Sequence, residues 1–332
     1  MEIKTQNFRK IILESPRQIT VGLKAGNNVK VPGKFRNGVI ICGMGGSALP
    51  GSILSFFLEE ARISLPLRIH RDYLLPEIAD KNHLIVCISY SGNTEETLSA
   101  FKEALKKKLP LAAIASGGEL SALCQENKIP FAKIPSGIPP RMALGYQFAA
   151  LVKILANSNL IPSSSLNELI RLGKKLRTGA TEAAGKKLAE KISQKFPVIY
   201  SSGKNKVLAR IWKINFNENS KTPSFSNVFP ELSHNELAGW TCSPKDFQII
   251  ILKDGSDEKN ILRRMTSTAE ILKKLGVAVE FVEIKGRNLE KIFNGILLGN
   301  WASYYLALKK KINPFEIKII EDLKIKMAKS KK

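Results

Sequence analysis

The chain has 332 residues, 44% hydrophobic and 24% charged, which is ordinary for a globular protein and long enough for two domains. No apolar run reaches membrane length, the start Met1-Glu2-Ile3-Lys4 lacks a secretory apolar segment, and the four cysteines form no C-x-x-C pair, so the expectation is a cytoplasmic protein with buried free thiols and no zinc site. The formal net charge of +23 favours anionic substrates, but the lysines are spread over helical segments (Lys106-Lys107-Lys108, Lys174-Lys175, Lys186-Lys187, Lys309-Lys310-Lys311) without any nucleic-acid-binding signature, so neither a nucleic acid nor a membrane is expected as partner.

In chain order, an apolar strand at 38–42 runs into Gly43-Met44-Gly45-Gly46-Ser47-Ala48 and then a helix at 50–59. The glycines allow a ligand to approach the backbone, and Ser47 can touch an anion at the helix start. The spacing misses the dinucleotide fingerprint, and no Gly-Lys-Ser/Thr ending is present, so no nucleotide cofactor is expected. After a strand at 67–70, the strand at 84–89 opens into Ser89-Tyr90-Ser91-Gly92-Asn93-Thr94-Glu95-Glu96-Thr97 and a helix at 94–108. Four hydroxyls around one strand-to-helix turn exceed what an N-cap box of Thr94 and Thr97 requires, and they read as a phosphate-binding loop. Strands at 111–115 and 131–134 enclose a helix at 118–127. Pro139-Pro140-Arg141 then sets an arginine on a stiffened turn before a helix at 142–158.

A linker near 157–165 and a long helical stretch at 165–195 lead into the second half. There Pro197-Val198-Ile199-Tyr200-Ser201-Ser202-Gly203 resembles the first strand and its turn. Further strands at 247–252 and 278–283 alternate with helices at 204–219, 257–275 and 288–308. The alternation predicts an α/β fold of two parallel sheets flanked by helices, divided as 20–160, 165–310 and a C-terminal helix and basic tail at 311–332. Glu218 emerges at a helix end in Asn217-Glu218-Asn219-Ser220-Lys221, and His234 stands in the polar Glu231-Leu232-Ser233-His234-Asn235-Glu236. His70 and His83 read as structural. By residue type alone, Glu218 and His234 suit proton transfer on a phosphorylated carbonyl compound or an unremarkable helix-end acid and loop histidine.

The glycine turn, the Ser89–Thr97 loop and the combination Pro-Pro-Arg, Asn-Glu-Asn-Ser-Lys and Leu-Ser-His-Asn-Glu resemble the sugar isomerase (SIS) proteins. More narrowly they are similar to the bifunctional phosphoglucose/phosphomannose isomerases, from about residue 20 to 326. The resemblance implies two flavodoxin-like subdomains, a homodimer, no metal or organic cofactor, and reversible conversion of glucose 6-phosphate, and of mannose 6-phosphate, to fructose 6-phosphate. It makes Glu218 the base of a cis-enediol mechanism, Arg141 the group that stabilises the enediolate, and His234 the ring-opening histidine, contributed by the partner subunit. Gly46, Ser47, Ser89, Ser91 and Thr94 hold the substrate phosphate. A C-terminal active-site lysine falls on Lys324, ten residues past Pro314, with Lys318 in reserve; Asn313 stands where the family commonly has Asp. The alternatives are a non-catalytic SIS sugar-phosphate sensor, for which residues 1–37 are too short and unpatterned to supply a DNA-binding module, and an aminosugar-phosphate isomerase.

Overall fold

Apolar runs separated by helices must become parallel strands, because each new strand starts from the end at which the last one began. The structure, a computed structural model, describes residues 2–242 and 245–329. Strands β1 (Gly38–Cys42), β2 (Leu67–His70), β3 (His83–Ile88), β4 (Leu111–Ala115) and β5 (Phe131–Lys133) form one sheet in the order β2-β1-β3-β4-β5. A second sheet takes β6 (Phe196–Ser202), β7 (Phe225–Phe229), β8 (Phe247–Lys253) and β9 (Ala278–Glu283) in the order β7-β6-β8-β9. Every pairing is parallel. The two orders coincide over four strands, so β1 and β6 hold equivalent places, as their similar sequences imply. Strands β1, β3 and β4 are buried along their whole length, which continuous apolar runs such as Val39-Ile40-Ile41 require.

Helices Leu49–Glu60 and Leu144–Asn157 cover the inner face of the first sheet, and Lys206–Asn219 and Asn288–Lys309 that of the second. Their apolar sides merge into one core that reaches both sheets, and the Phe148 and Phe293 rings from the two halves lie 5.9 Å apart. Trp212 is fully buried and donates through Nε1 to Gly295 O at 2.8 Å, seating helix Lys206–Asn219 against Asn288–Lys309. At about 25 cal/mol per Å² over roughly 200 Å², such a burial contributes on the order of 5 kcal/mol. The same helix fixes the position of Glu218 at its end.

Several expectations need correcting. The helical stretch at 165–195 is broken into Ser165–Lys175 and Glu182–Ile192, because Leu176 and Arg177 turn extended and Thr178 O accepts a bond from Trp301 Nε1 at 2.8 Å. Residues 1–37, read as unpatterned, contain helices Glu2–Glu14 and Arg17–Ala25. Residues Phe225–Phe229, where no strand was expected, form edge strand β7. Phe229, Leu232 and Trp240 are buried in the chain's own core, and Phe225 is exposed. Cys42, Cys87 and Cys124 are buried free thiols, whereas Cys242 is exposed. The C-terminal helix spans Lys318–Lys329, and the basic ending to Lys332 lies outside the described residues. No described helix is long and apolar enough to cross a membrane.

Candidate active site

The carboxyl ends of β1, β3 and β5 deliver three turns to one place. After β1, residues Gly45–Ala48 form a short 3-10 turn. A Cβ on Gly46 would come within 3.0 Å of the Arg141 backbone nitrogen, so glycine lets the two turns touch. Ser47 is buried, and its Oγ accepts from Tyr90 N at 3.0 Å, tying the glycine turn to the hydroxyl loop. In that loop Gly92 has φ +75° and packs against Gly117 O, where a side chain would collide. Ser89 is buried, accepts from Gly92 N at 3.1 Å and pairs with the Thr94 hydroxyl at 2.8 Å. Ser91 is exposed and accepts from Asn93 N.

Thr94 occupies the N-cap position of helix Glu95–Lys106 yet makes no capping bond, and its hydroxyl turns to Ser89 instead. The capping-box reading therefore fails. The helix start keeps its amide donors and the positive end of its dipole available for an anion.

Arg141 follows Pro139 and Pro140 on the 3-10 turn Pro140–Met142. Gln18 braces this turn: it donates to Met142 O at 2.7 Å and accepts from Gly145 N at 3.0 Å. The Arg141 side chain is 1% exposed and spends its donors on the far half of the molecule. Nη1 donates to Glu218 Oε2 at 2.8 Å, and Nε to Asn219 Oδ1 at 2.5 Å. Nη2 donates to Pro314 O at 2.6 Å and to Glu218 O at 3.4 Å. Burial lowers the pKa of the guanidinium, and the Glu218 carboxylate opposes that shift. Asn219 is itself held by a bond from its Nδ2 to Ser303 Oγ at 2.9 Å.

Glu218 lies in the last turn of helix Lys206–Asn219, its side chain 23% exposed. One carboxylate oxygen is on Arg141, and Oε1 takes no hydrogen bond among the described residues. Such a carboxylate can exchange a proton with a bound molecule while an adjacent, water-shielded cation steadies the negative charge that forms. Beside the glycine turn, a groove of about 1070 Å³ between helices Leu49–Glu60 and Lys206–Asn219 is lined by Arg71, Lys204, Arg210 and Lys213. Gly45 and Glu59 line the same groove and Lys204 is paired with Glu60, so the remaining cations give it a net positive charge that favours anions.

The structure thus brings together Gly46, Ser47, Ser89, Thr94, Arg141 and Glu218 in neighbouring turns. Among the described residues, neither His234 nor Lys324 has a hydrogen bond or ion pair with this group. His234 is exposed at the end of the 3-10 turn Glu231–His234, beyond the carboxyl end of β7. Glu218 precedes the amino end of the same strand. Strand β7 lies between them, 5 residues or about 17 Å at ~3.3 Å per residue, so the two residues flank opposite ends of that strand. Lys318 and Lys324 are exposed on helix Lys318–Lys329. His70 is occupied by Leu74 O at 2.8 Å, and the buried His83 by Asp80 at 2.7 Å. Sequence reading missed Gln18, Asn219 and Lys221. Asn219 and Lys221 stood in the Asn-Glu-Asn-Ser-Lys motif without an assigned role, and no motif contained Gln18.

The family described as bacterial phospho-glucose isomerase C-terminal SIS domain matches residues 181–327. The bifunctional phosphoglucose/phosphomannose isomerase of Caldicellulosiruptor bescii is 36% identical over 332 residues, covering 95% of this chain and 97% of the relative. The protein of the same name from Aquifex aeolicus is 32% identical over 296 residues, covering 88% and 91%. Among solved structures, the C-terminal domain of glucosamine-fructose-6-phosphate aminotransferase from Francisella tularensis superposes with a TM-score of 0.70 at 16% identity, over 93% of this chain and 98% of that one.

Proposed function

The chain belongs to the bifunctional phosphoglucose/phosphomannose isomerases, and from that membership we propose how its site works. The enzyme converts glucose 6-phosphate and mannose 6-phosphate reversibly to fructose 6-phosphate. The observation that carries the assignment of the site is the buried Arg141 fixed on the Glu218 carboxylate beside the Gly46 turn.

The substrate phosphate lies at the start of helix Glu95–Lys106, held by Ser47, Ser89, Ser91, Thr94 and the amide of Gly46. With the phosphate there, C1 and C2 of the open-chain sugar reach the Arg141–Glu218 pair. Glu218 takes the proton from C2 of the aldose, and the C–H electron pair becomes the C1–C2 double bond of an enediolate. Arg141 stabilises the negative oxygen through a positive charge that its hydrogen bonds hold in place before the reaction, so little reorganisation opposes the step. The hydroxyl proton on O2 passes to O1, and Glu218, now neutral, returns its own proton to C1, so that the C2–O2 bond becomes the carbonyl of the ketose. Removing the C2 proton erases the difference between glucose and mannose, and one carboxylate can serve both epimers. No metal or organic cofactor takes part.

His234 opens the sugar ring in the site of the partner subunit of a homodimer. What supports this placement is the sheet geometry, which sets Glu218 and His234 of one chain at opposite ends of strand β7. A two-fold axis across that face would bring each histidine to the other chain's carboxylate. Lys324 approaches the sugar from the C-terminal helix. The enzyme works in the cytoplasm, in glycolysis and gluconeogenesis, and its halves divide near residues 160–165. The test is a coupled assay of fructose 6-phosphate formation from both aldose phosphates, with and without EDTA. Turnover of both, unaffected by chelation, is the expected result; absence of turnover with either would refute the reading.

A further inference from the structure

Lys221 follows the end of helix Lys206–Asn219 with φ +49°, a left-handed conformation that glycine or asparagine adopts at lower cost. The lysine in that place has a use for its side chain. Although the residue is exposed overall, its Nζ turns back to donate to Glu218 O at 2.6 Å and to Asn313 O at 3.1 Å. Arg141 Nη2 donates to Glu218 O and to Pro314 O. Two cations therefore share the helix-end carbonyl and take consecutive carbonyls of the turn that precedes the C-terminal helix.

Their holds differ in one respect. Besides its two main-chain carbonyls, Arg141 grips the Glu218 carboxylate, and that part of its hold weakens each time the carboxylate is protonated. Lys221 grips main-chain carbonyls alone, whose charge does not change through a reaction cycle. We propose that Lys221 is a positioning residue: its ammonium pins the Glu218 helix end to the 313–314 turn, so that the carboxyl group keeps its place against Arg141 while it carries the substrate's proton. This rests on the isomerase reading above.

The groups facing the ammonium are Arg141, Glu218 and Glu316, and Lys310 is bonded to the adjoining Thr222 at 2.7 Å. Burial and then the charge of Arg141 push the Lys221 pKa down to about 8, with Glu218 and Glu316 pulling the other way. The pin is charged below that pH and loses its charge above it.

The test compares Lys221→Met, Lys221→Arg and Lys221→Gly with the parent enzyme, measuring kcat, KM for fructose 6-phosphate, the pH profile and the thermal midpoint. Loss of a charged donor to two carbonyls should lower kcat about ten- to hundredfold in the Met variant, with KM within about twofold. The Gly variant relieves the left-handed strain, so its midpoint should hold or rise while kcat falls. A purely structural lysine would move both in the same direction. The Arg variant should recover most of kcat and lose the parent's decline above pH 8. Met and Gly variants with at least half the parent kcat, or an Arg variant with the same alkaline decline, would overturn the proposal while leaving the isomerase reading intact. An inactive parent would overturn both.

Discussion

Arg141→Lys keeps the charge at the centre of the site and removes the geometry. The guanidinium serves four acceptors from three nitrogens: Asn219 Oδ1, Glu218 Oε2, Glu218 O and Pro314 O. A lysine ammonium is a single point that can follow the Glu218 carboxylate but cannot also span Asn219 and Pro314. Two short charge-assisted bonds are then lost, at ~1.5–3 kcal/mol each. The Arg141 side chain is only 1% exposed, so water does not replace them freely, whereas Glu218 at 23% can rehydrate in part. Taking the lower end for that reason, the variant should lose about 3 kcal/mol of stability in urea unfolding. With those two anchors gone, the cation no longer holds a fixed place beside the enediolate, which should lower kcat/KM about 10²-fold. A variant within 1 kcal/mol and threefold of the parent in the two assays would refute the claim that the fork geometry of Arg141, rather than its charge, organises the site.

Glu218→Gln preserves size and hydrogen bonding but cannot accept a proton, so kcat should fall about 10²–10⁴-fold with substrate binding retained; more than half the activity remaining would make Glu218 a mere helix-end acid. Replacing Ser89 and Thr94 together by Ala should raise KM for sugar phosphates and weaken inhibition by 6-phosphogluconate, each lost bond to the phosphate costing ~1.5–3 kcal/mol; unchanged values would return the loop to a plain helix start. Co-expressing Glu218→Gln with His234→Ala should restore roughly a quarter of parent activity, because a hybrid dimer keeps one intact site; activity no higher than that of either variant alone, with hybrids verified by mass, would place the histidine in its own chain's site. Asp254 and Lys291 form a buried pair at 2.6 Å away from this site, and Asp254→Asn should cost about 3–5 kcal/mol by leaving the lysine uncompensated. Burial raises the pKa of Asp254, but bonds from Lys291, Ser256 and Asn205 outweigh it and hold the group below the usual carboxylate range. Its contribution is therefore present above pH ~4 and lost as pH falls through the lowered folded value; acid titration of the parent's unfolding free energy, compared with the variant's, reads it directly.

The two sheets were legible because their central strands are continuous apolar runs such as Leu84-Ile85-Val86, which only a doubly covered parallel sheet accommodates. Strand β7 was not, because an edge strand with Phe225 exposed and Ser226 and Asn227 half-buried lacks that signal and lies between prolines. The turns at Gly43–Ser47 and Ser89–Thr94 were visible as local chemistry. The Arg141–Glu218 pair joins residues 77 positions apart, which no local pattern reports. Gln18 and Lys221 were hidden for another reason: they act on backbone carbonyls and amides, so their partners leave no trace in side-chain identity. The separation of His234 from Glu218 depends on edge strand β7, which lies between them.

The most direct test of proton transfer at the Arg141–Glu218 pair is isomerisation in D₂O, followed by NMR of both sugar phosphates. An enediolate whose proton rests on a partly exposed carboxylate should exchange with solvent, placing deuterium at C1 of fructose 6-phosphate and C2 of the aldose phosphates. Glu218→Gln should slow that incorporation in step with turnover, by about 10²–10⁴-fold. Parent enzyme that isomerises at full rate with no solvent deuterium in either sugar, or a Glu218→Gln variant that incorporates it at the parent's rate, would contradict the account.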